Sequence, residues 1–176
     1  MGLSWQREEQ PHWDEDKKRI IGGAPDGVFD LNPAEGDSLS GDWWFAQDDG
    51  TVVGYGWLDS AWGDAEILLA VDPDAQEKGI GSFVLENIEH EAARRGINYV
   101  YNTVRATHPQ RAEVQEWLES RGFSGDDRDN TLRKHVRVRE MTVPVVGRAP
   151  EFDASVDMPP GREESGGYVD PSDHRF

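Results

Sequence analysis

The stretch of residues 66–82 limits the possible folds of this chain more than any other. It runs Glu66-Ile67-Leu68-Leu69-Ala70-Val71, turns through Asp72-Pro73-Asp74-Ala75, and continues Gln76-Glu77-Lys78-Gly79-Ile80-Gly81-Ser82. A short apolar run bounded by turn residues reads as a buried strand, and the segment after the turn opens a helix. Two glycines therefore stand where a strand hands over to a helix N-terminus. The first N–H groups of a helix have no partner within it and carry partial positive charge, so an anion is favoured there. Missing side chains at Gly79 and Gly81 let it come close. Two common phosphate loops do not fit: a dinucleotide fingerprint needs a third glycine where Val84 stands, and a P-loop needs a lysine where Ser82 stands.

The flanking sequence gives the rest of the order. Trp43-Trp44-Phe45-Ala46, the turn Asp48-Asp49-Gly50 and the run 51–58 read as a hairpin. Trp43 and Trp44 must face opposite sides of the sheet, so one can be core while the other is outward or lines a cleft, and for each a structural role is the favoured reading. After the glycines, Val84, Leu85, Ile88 and Ala92 recur at helical spacing over 82–95, with Arg94-Arg95 in the last turn and Gly96 closing it. Residues 97–104 read as a strand. A second helix follows, capped by Thr107 or His108, with Pro109 in its first turn, a buried stripe of Val114, Trp117 and Leu118, and Gly122-Phe123 at its end. A last strand is expected over 131–138, with extension toward 146 left open.

Charge and composition decide between partners. Asp and Glu number 35 against 18 Lys and Arg, a net charge of −17, which argues against nucleic acid because a polyanion is repelled. The stretch Arg133-Lys134-His135-Val136-Arg137-Val138-Arg139 is the one basic stripe, and its alternation reads as a strand with one wet face. The same acidity would draw in a cationic amine; solubility or a salty habitat would account for it equally. Cysteine is absent, so there is no thiol nucleophile, and a reducing, cytoplasmic setting is expected. No apolar run reaches membrane-spanning length and no secretion signal is visible. No metal is expected: Asp72-x-Asp74 lacks the Gly and Glu of a calcium loop, and the five histidines lack ligand spacing. The acidic clusters Asp14-Glu15-Asp16 and Asp126-Asp127 read as wet surface.

Gln76, Gly79 and Gly81 together resemble the acetyl-CoA loop of the GNAT N-acetyltransferase superfamily. The order of elements, the Asp-Gly hairpin, the Ala-Val-Asp-Pro lead and the Gly-Phe ending extend that resemblance from about Asp42 to Val138. It implies an α/β (α+β) fold, a mixed, splayed central sheet flanked by helices, with an extended C-terminal tail. Residues 1–41, with a helix-like piece at 13–21, would form a partly ordered segment on the substrate side of the same domain. Residues 42–140 would form the acetyl-CoA-binding core. The Pro-, Gly- and acid-rich tail 141–176 would be disordered, or anchored to core or partner through Tyr168, Val169 and Phe176.

The chemistry implied is acetyl transfer from acetyl-CoA to a primary amine, on a small molecule or a peptide, by direct attack. Proximity and a donor for the developing oxyanion carry it. N–H groups near Leu69, Ala70 and Val71 would hold the pantetheine arm and polarise the carbonyl, and those of Gln76, Glu77, Lys78, Gly79, Ile80, Gly81 and Ser82 would hold the pyrophosphate; Asn102 joins the cofactor set. Lys78 reads either as an added charge or as a solvated loop lysine. Glu66 stands near the family's general base, the alternative being a solvated strand-end glutamate, and a bulge would flip it. The tyrosine that relatives place five residues before the Phe of Gly-Phe is Leu118 here. Tyr101 or His108 is then the nearest proton donor, against core and cap roles respectively. A noncatalytic acyl-CoA-binding module is the rival reading, and either a monomer or a homodimer is compatible with the sequence.

Overall fold

Seven strands and three helices form the described part of the computed structural model, residues 2–125 and 128–136. In chain order they are β1 (Leu3–Arg7), α1 (Glu15–Ile20), β2 (Asp42–Asp48), β3 (Thr51–Ala61), β4 (Asp64–Val71), α2 (Ile80–Arg94), β5 (Tyr99–Thr103), α3 (Arg111–Glu119), β6 (Ser124–Gly125) and β7 (Thr131–His135). They build one sheet in the order β1-β2-β3-β4-β5-β7-β6, antiparallel at every pair except β4 with β5. The expectations for Asp126-Asp127, for a strand beyond Val136 and for the tail 141–176 fall outside the described residues.

The two long hairpins come from paired left-handed residues. Asp49 and Gly50 have φ of 49° and 85°, the turn that the sequence signals. Trp62 and Gly63, at 57° and 89°, close a second hairpin between β3 and β4. That turn is hard to read beforehand, because a bulky residue rarely takes a left-handed backbone. The Trp62 side chain stands wholly in solvent.

Both faces of the sheet are covered, which gives both tryptophans a structural place. On one face α2 packs Ile80, Val84, Leu85, Ile88 and Ala92 against Trp44, Leu58, Ile67 and Val100. On the other, Trp13, Ile20 and Ile21, in and around α1, cover Trp43, Tyr55 and Ala70. Trp43 and Trp44 do face opposite ways, yet both are buried, at 4% and 2% exposure. The N-terminal segment that supplies the second cover is thus well built into the sheet: β1 pairs with β2 from Leu3 to Arg7. Lys17 fixes α1 there. It is fully buried, donates from Nζ to Glu8 at 2.8 Å and Asp14 at 3.0 Å, and lies 4.7 Å from the Tyr55 ring centre.

Two helix starts differ from expectation. α2 begins at Ile80, with Gly79 as its N-cap. α3 begins at Arg111 with Gln110 as N-cap, so neither Thr107 nor His108 is the cap residue and Pro109 precedes the helix. The reason is local: the Thr107 hydroxyl donates to Gly27 O at 2.8 Å, and His108 Nδ1 accepts the Gln110 N–H at 3.0 Å.

Candidate active site

The parallel pair at the centre of the sheet opens after three residues. β4 and β5 are in register at Asp64 with Tyr99, Ala65 with Val100 and Glu66 with Tyr101, and no further. β3 stays paired with the other edge of β4 through Val71. Residues 67–71 therefore turn one backbone edge toward a gap. At its apex the Asn102 amide donates to Ile67 O at 2.8 Å, bridging the strands where they part. The gap widens into a cleft of about 520 Å³ bounded by residues 67–71, the glycine loop, the end of β5 and α3.

The Asp-Pro turn aims the glycine loop. Asp72 is buried; it accepts the Asp74 N–H at 3.0 Å, pairs with Arg19, and gives its own N–H to Val53 O at 2.8 Å. Arg19 also donates to Val52 O at 2.9 Å, so α1, β3 and the exit of β4 are tied at one point. Beyond a short 3₁₀ turn at Pro73–Ala75, Glu77 and Gly79 take φ of 64° and 79°. The first intrahelical bond of α2 runs from Phe83 N–H to Gly79 O, and Gly79 offers no side chain to cap the N–H groups of Ile80, Gly81 and Ser82. A Cβ at Gly79 would meet nothing within 4 Å, and one at Gly81 would stand 3.5 Å from Trp117 Cζ2, partly filling the space between loop and α3. Uncapped amides beside an open cleft fit an anionic group of a coenzyme.

Leu69, Ala70, Val71, Gln76, Glu77, Gly79, Gly81, Ser82 and Asn102 all line this cleft. Ile80 lies in the core, so only its amide can serve a ligand, and exposed Lys78 is not part of the cleft wall. Glu66 and Tyr101 sit apart from it. The β3–β4 register has no shift, so Glu66 shares the sheet face of Leu68 and Ala70, and Asp59, Glu66, Tyr101 and Arg133 form a row across four strands. Burial, then the Asp59 charge, raises the Glu66 carboxyl above its ordinary pKa. Tyr101 is raised by burial first, then by Glu66 and Asp59, with Arg133 opposing. His108 lines the cleft with its pKa lowered by burial; because Nδ1 accepts a backbone N–H, the neutral ring carries its proton on Nε2. Leu118 is buried in the core.

One cleft residue went unread in the sequence. Arg121, just past α3, donates from Nη2 to Ser82 Oγ at 2.6 Å and stacks over Trp117 at 3.9 Å from the ring centre. The signal was faint: a basic residue four positions after an aromatic one, at a helix end.

Residues 4–123 match the family model described as the acetyltransferase (GNAT) family. The chain belongs to that family. Its match starts within β1, at Ser4, well before β2. No curated protein sequence matches the chain. Among solved GNAT-like structures, N-acetylglutamate synthase from Neisseria gonorrhoeae, complexed with coenzyme A and N-acetyl-glutamate, superposes with a TM-score of 0.60 at 18% identity over 78% of this chain and 36% of that one. The ribosomal-protein-S18-alanine N-acetyltransferase from Escherichia coli gives 0.51 at 14% identity over 80% and 98%. The PaiA N-acetyltransferase from Thermoplasma acidophilum, in complex with coenzyme A, gives 0.46 at 23% identity over 53% and 59%. This GNAT chain thus spans only part of two of these three relatives, and at such identities the likeness concerns the fold. Among the described residues no helix is long and apolar enough to cross a membrane.

Proposed function

We propose that this GNAT chain transfers acetyl from acetyl-CoA to a primary amine, a small cationic amine or a protein amine, by direct attack. The observation that carries the proposal is the uncapped amide run at residues 80–82 opening onto a cleft whose other wall is the unpaired edge of β4. Acetyl-CoA supplies the activated thioester. Amides of residues 76–82 hold its diphosphate, and the backbone of Leu69, Ala70 and Val71 pairs with the pantetheine arm and polarises the carbonyl. Glu66 takes the proton of the acceptor amine, directly or through water; its raised pKa brings a carboxyl closer to the range useful for a base.

The leaving group needs less help than a tyrosine would give. A thiol has a pKa of about 8.5, while a phenol starts near 10 and Tyr101 is raised above that. Full proton transfer from Tyr101 to a thiolate is therefore uphill. Tyr101, which stands outside the cleft wall, is therefore not the proton source in this reading, and CoA leaves as thiolate or is protonated by water.

Leu118, buried where relatives carry the tyrosine, favours a second reading: a module that binds acyl-CoA without turnover. Calorimetric titration with acetyl-CoA followed by a thiol-release assay across polyamines, amino sugars, aminoglycosides and lysine peptides separates the two. Binding with release supports the enzyme, binding without release supports the module, and no binding removes both.

A further inference from the structure

The diphosphate loop has a cation beside it that the amides do not require. Arg121 is half-buried on the cleft wall. Its Nη1 donates to Trp117 O and Ser120 Oγ, both at 3.2 Å, its Nη2 donates to Ser82 Oγ at 2.6 Å, and its plane lies over the Trp117 ring. The side chain is thus fixed at both nitrogens and one face. Among the described residues it has no carboxylate within ion-pair distance, whereas Arg7, Arg19, Arg94, Arg95 and Arg105 are each paired with Asp or Glu. Arg111 and Arg133 lack such a partner too, but of the two arginines on the cleft wall Arg105 is paired with Asp30 and Arg121 is left without a carboxylate. Three of its five N–H groups are engaged, leaving one on Nη2 and the Nε–H for a ligand. By accepting from Arg121, Ser82 Oγ also turns its own O–H into a donor for the same ligand.

We propose that Arg121, braced by Trp117, is the fixed positive charge that binds the coenzyme diphosphate together with the amides of residues 80–82. This rests on the acetyl-CoA reading above. A planar fork matches phosphate oxygens, and charge-assisted hydrogen bonds are about twice as strong as neutral ones. With no side chain at Gly81, space is left between Trp117 and the loop, since a Cβ there would lie 3.5 Å from Trp117 Cζ2.

The test compares wild type, Arg121→Gln and Arg121→Lys for binding of acetyl-CoA, dephospho-CoA and S-acetylpantetheine, with melting temperatures measured alongside. Arg121→Gln should bind acetyl-CoA and dephospho-CoA about 10- to 100-fold more weakly while S-acetylpantetheine binds as to wild type. It should also show a shallower dependence of affinity on salt. Arg121→Lys should fall between, keeping the charge and losing the fork. Unchanged affinity in Arg121→Gln would overturn the proposal, as would an equal loss for S-acetylpantetheine, which would mean general damage to the cleft. A loss confined to acetyl-CoA would assign Arg121 to the 3′-phosphate and overturn the diphosphate assignment. A wild type that bound no CoA would instead sink the acetyltransferase reading itself.

Discussion

Glu66 is the residue on which chemistry and titration meet. Replacing it by Gln removes the proposed base but keeps the shape, so turnover should fall by about 10²- to 10⁴-fold with acetyl-CoA affinity unchanged. Steady-state rates beside calorimetry would show the split; unchanged turnover would remove Glu66 as base. Its neighbour offers a gentler test. Asp59 stands directly across β3–β4 from Glu66, and its charge helps hold the Glu66 proton. A base must be deprotonated to act, so under the proposed role of Glu66 the acid limb of the rate profile should follow its raised pKa. Asp59→Asn should move that limb to lower pH. Stability has the same sign. A carboxyl whose native pKa is raised contributes fully below the unfolded value and loses its contribution as pH rises through the native one. Asp59→Asn should therefore leave stability alone at about pH 3 and raise it by about 0.2–1 kcal/mol at neutral pH, the scale of a like-charge pair facing across strands. Urea titrations at the two pH values measure it.

At the scale of elements, α2 lies on the sheet because β3 gives way beneath it. A Cβ on Gly56 would come within 2.7 Å of both Ile88 Cδ1 and Trp5 Cη2. Gly56→Ala should cost about 1–3 kcal/mol through overpacking, read as a lower urea midpoint with unchanged slope. The opposite face depends on Lys17. Lys17→Ala would strand Glu8 and Asp14, which are partly buried, and should destabilise by up to about 3–5 kcal/mol, with Lys17→Met less harmful because its length still fills the space. These elements also mark what the sequence makes legible. The first hairpin, the glycine loop and α2 were readable because turn chemistry, helical spacing and a closing Gly96 agree there. β1 was not, since the alternation Leu3-Ser4-Trp5-Gln6 is too short to signal a strand with nothing local to name its partner, and its burial is only partial. The cover given by α1 was also hidden. The helix-like piece at 13–21 is legible, but a six-residue helix whose buried side chains are Lys17 and Ile20 does not show that it covers the sheet. In the site, the backbone cradle follows from local sequence. The row Asp59, Glu66, Tyr101 and Arg133, and the contact of Arg121 with Ser82, come from strand register and helix packing that no local pattern encodes.

For the whole molecule, ligand and field act in ways that single side chains do not. A ligand that binds only the folded state stabilises it by mass action, about 2.7 kcal/mol at one hundred times its Kd. For a domain of this size that is about 5–10 °C in melting temperature with saturating acetyl-CoA, and no shift would count against the cleft as its site. The net charge of −17 should act on the acceptor. An acidic protein raises the local concentration of cations, and mobile salt screens that field, with a screening length of about 30 Å at 0.01 M and about 8 Å at 0.15 M. For a polycationic acceptor, kcat/KM should then fall steeply between those salt concentrations, while for an uncharged primary amine of similar size it should stay nearly flat. The acetyl-CoA Kd, measured in the same buffers, separates the acceptor effect from the electrostatics of the anionic coenzyme. Equal salt profiles for the two acceptors would mean that the acidic surface serves solubility and plays no part in choosing the amine.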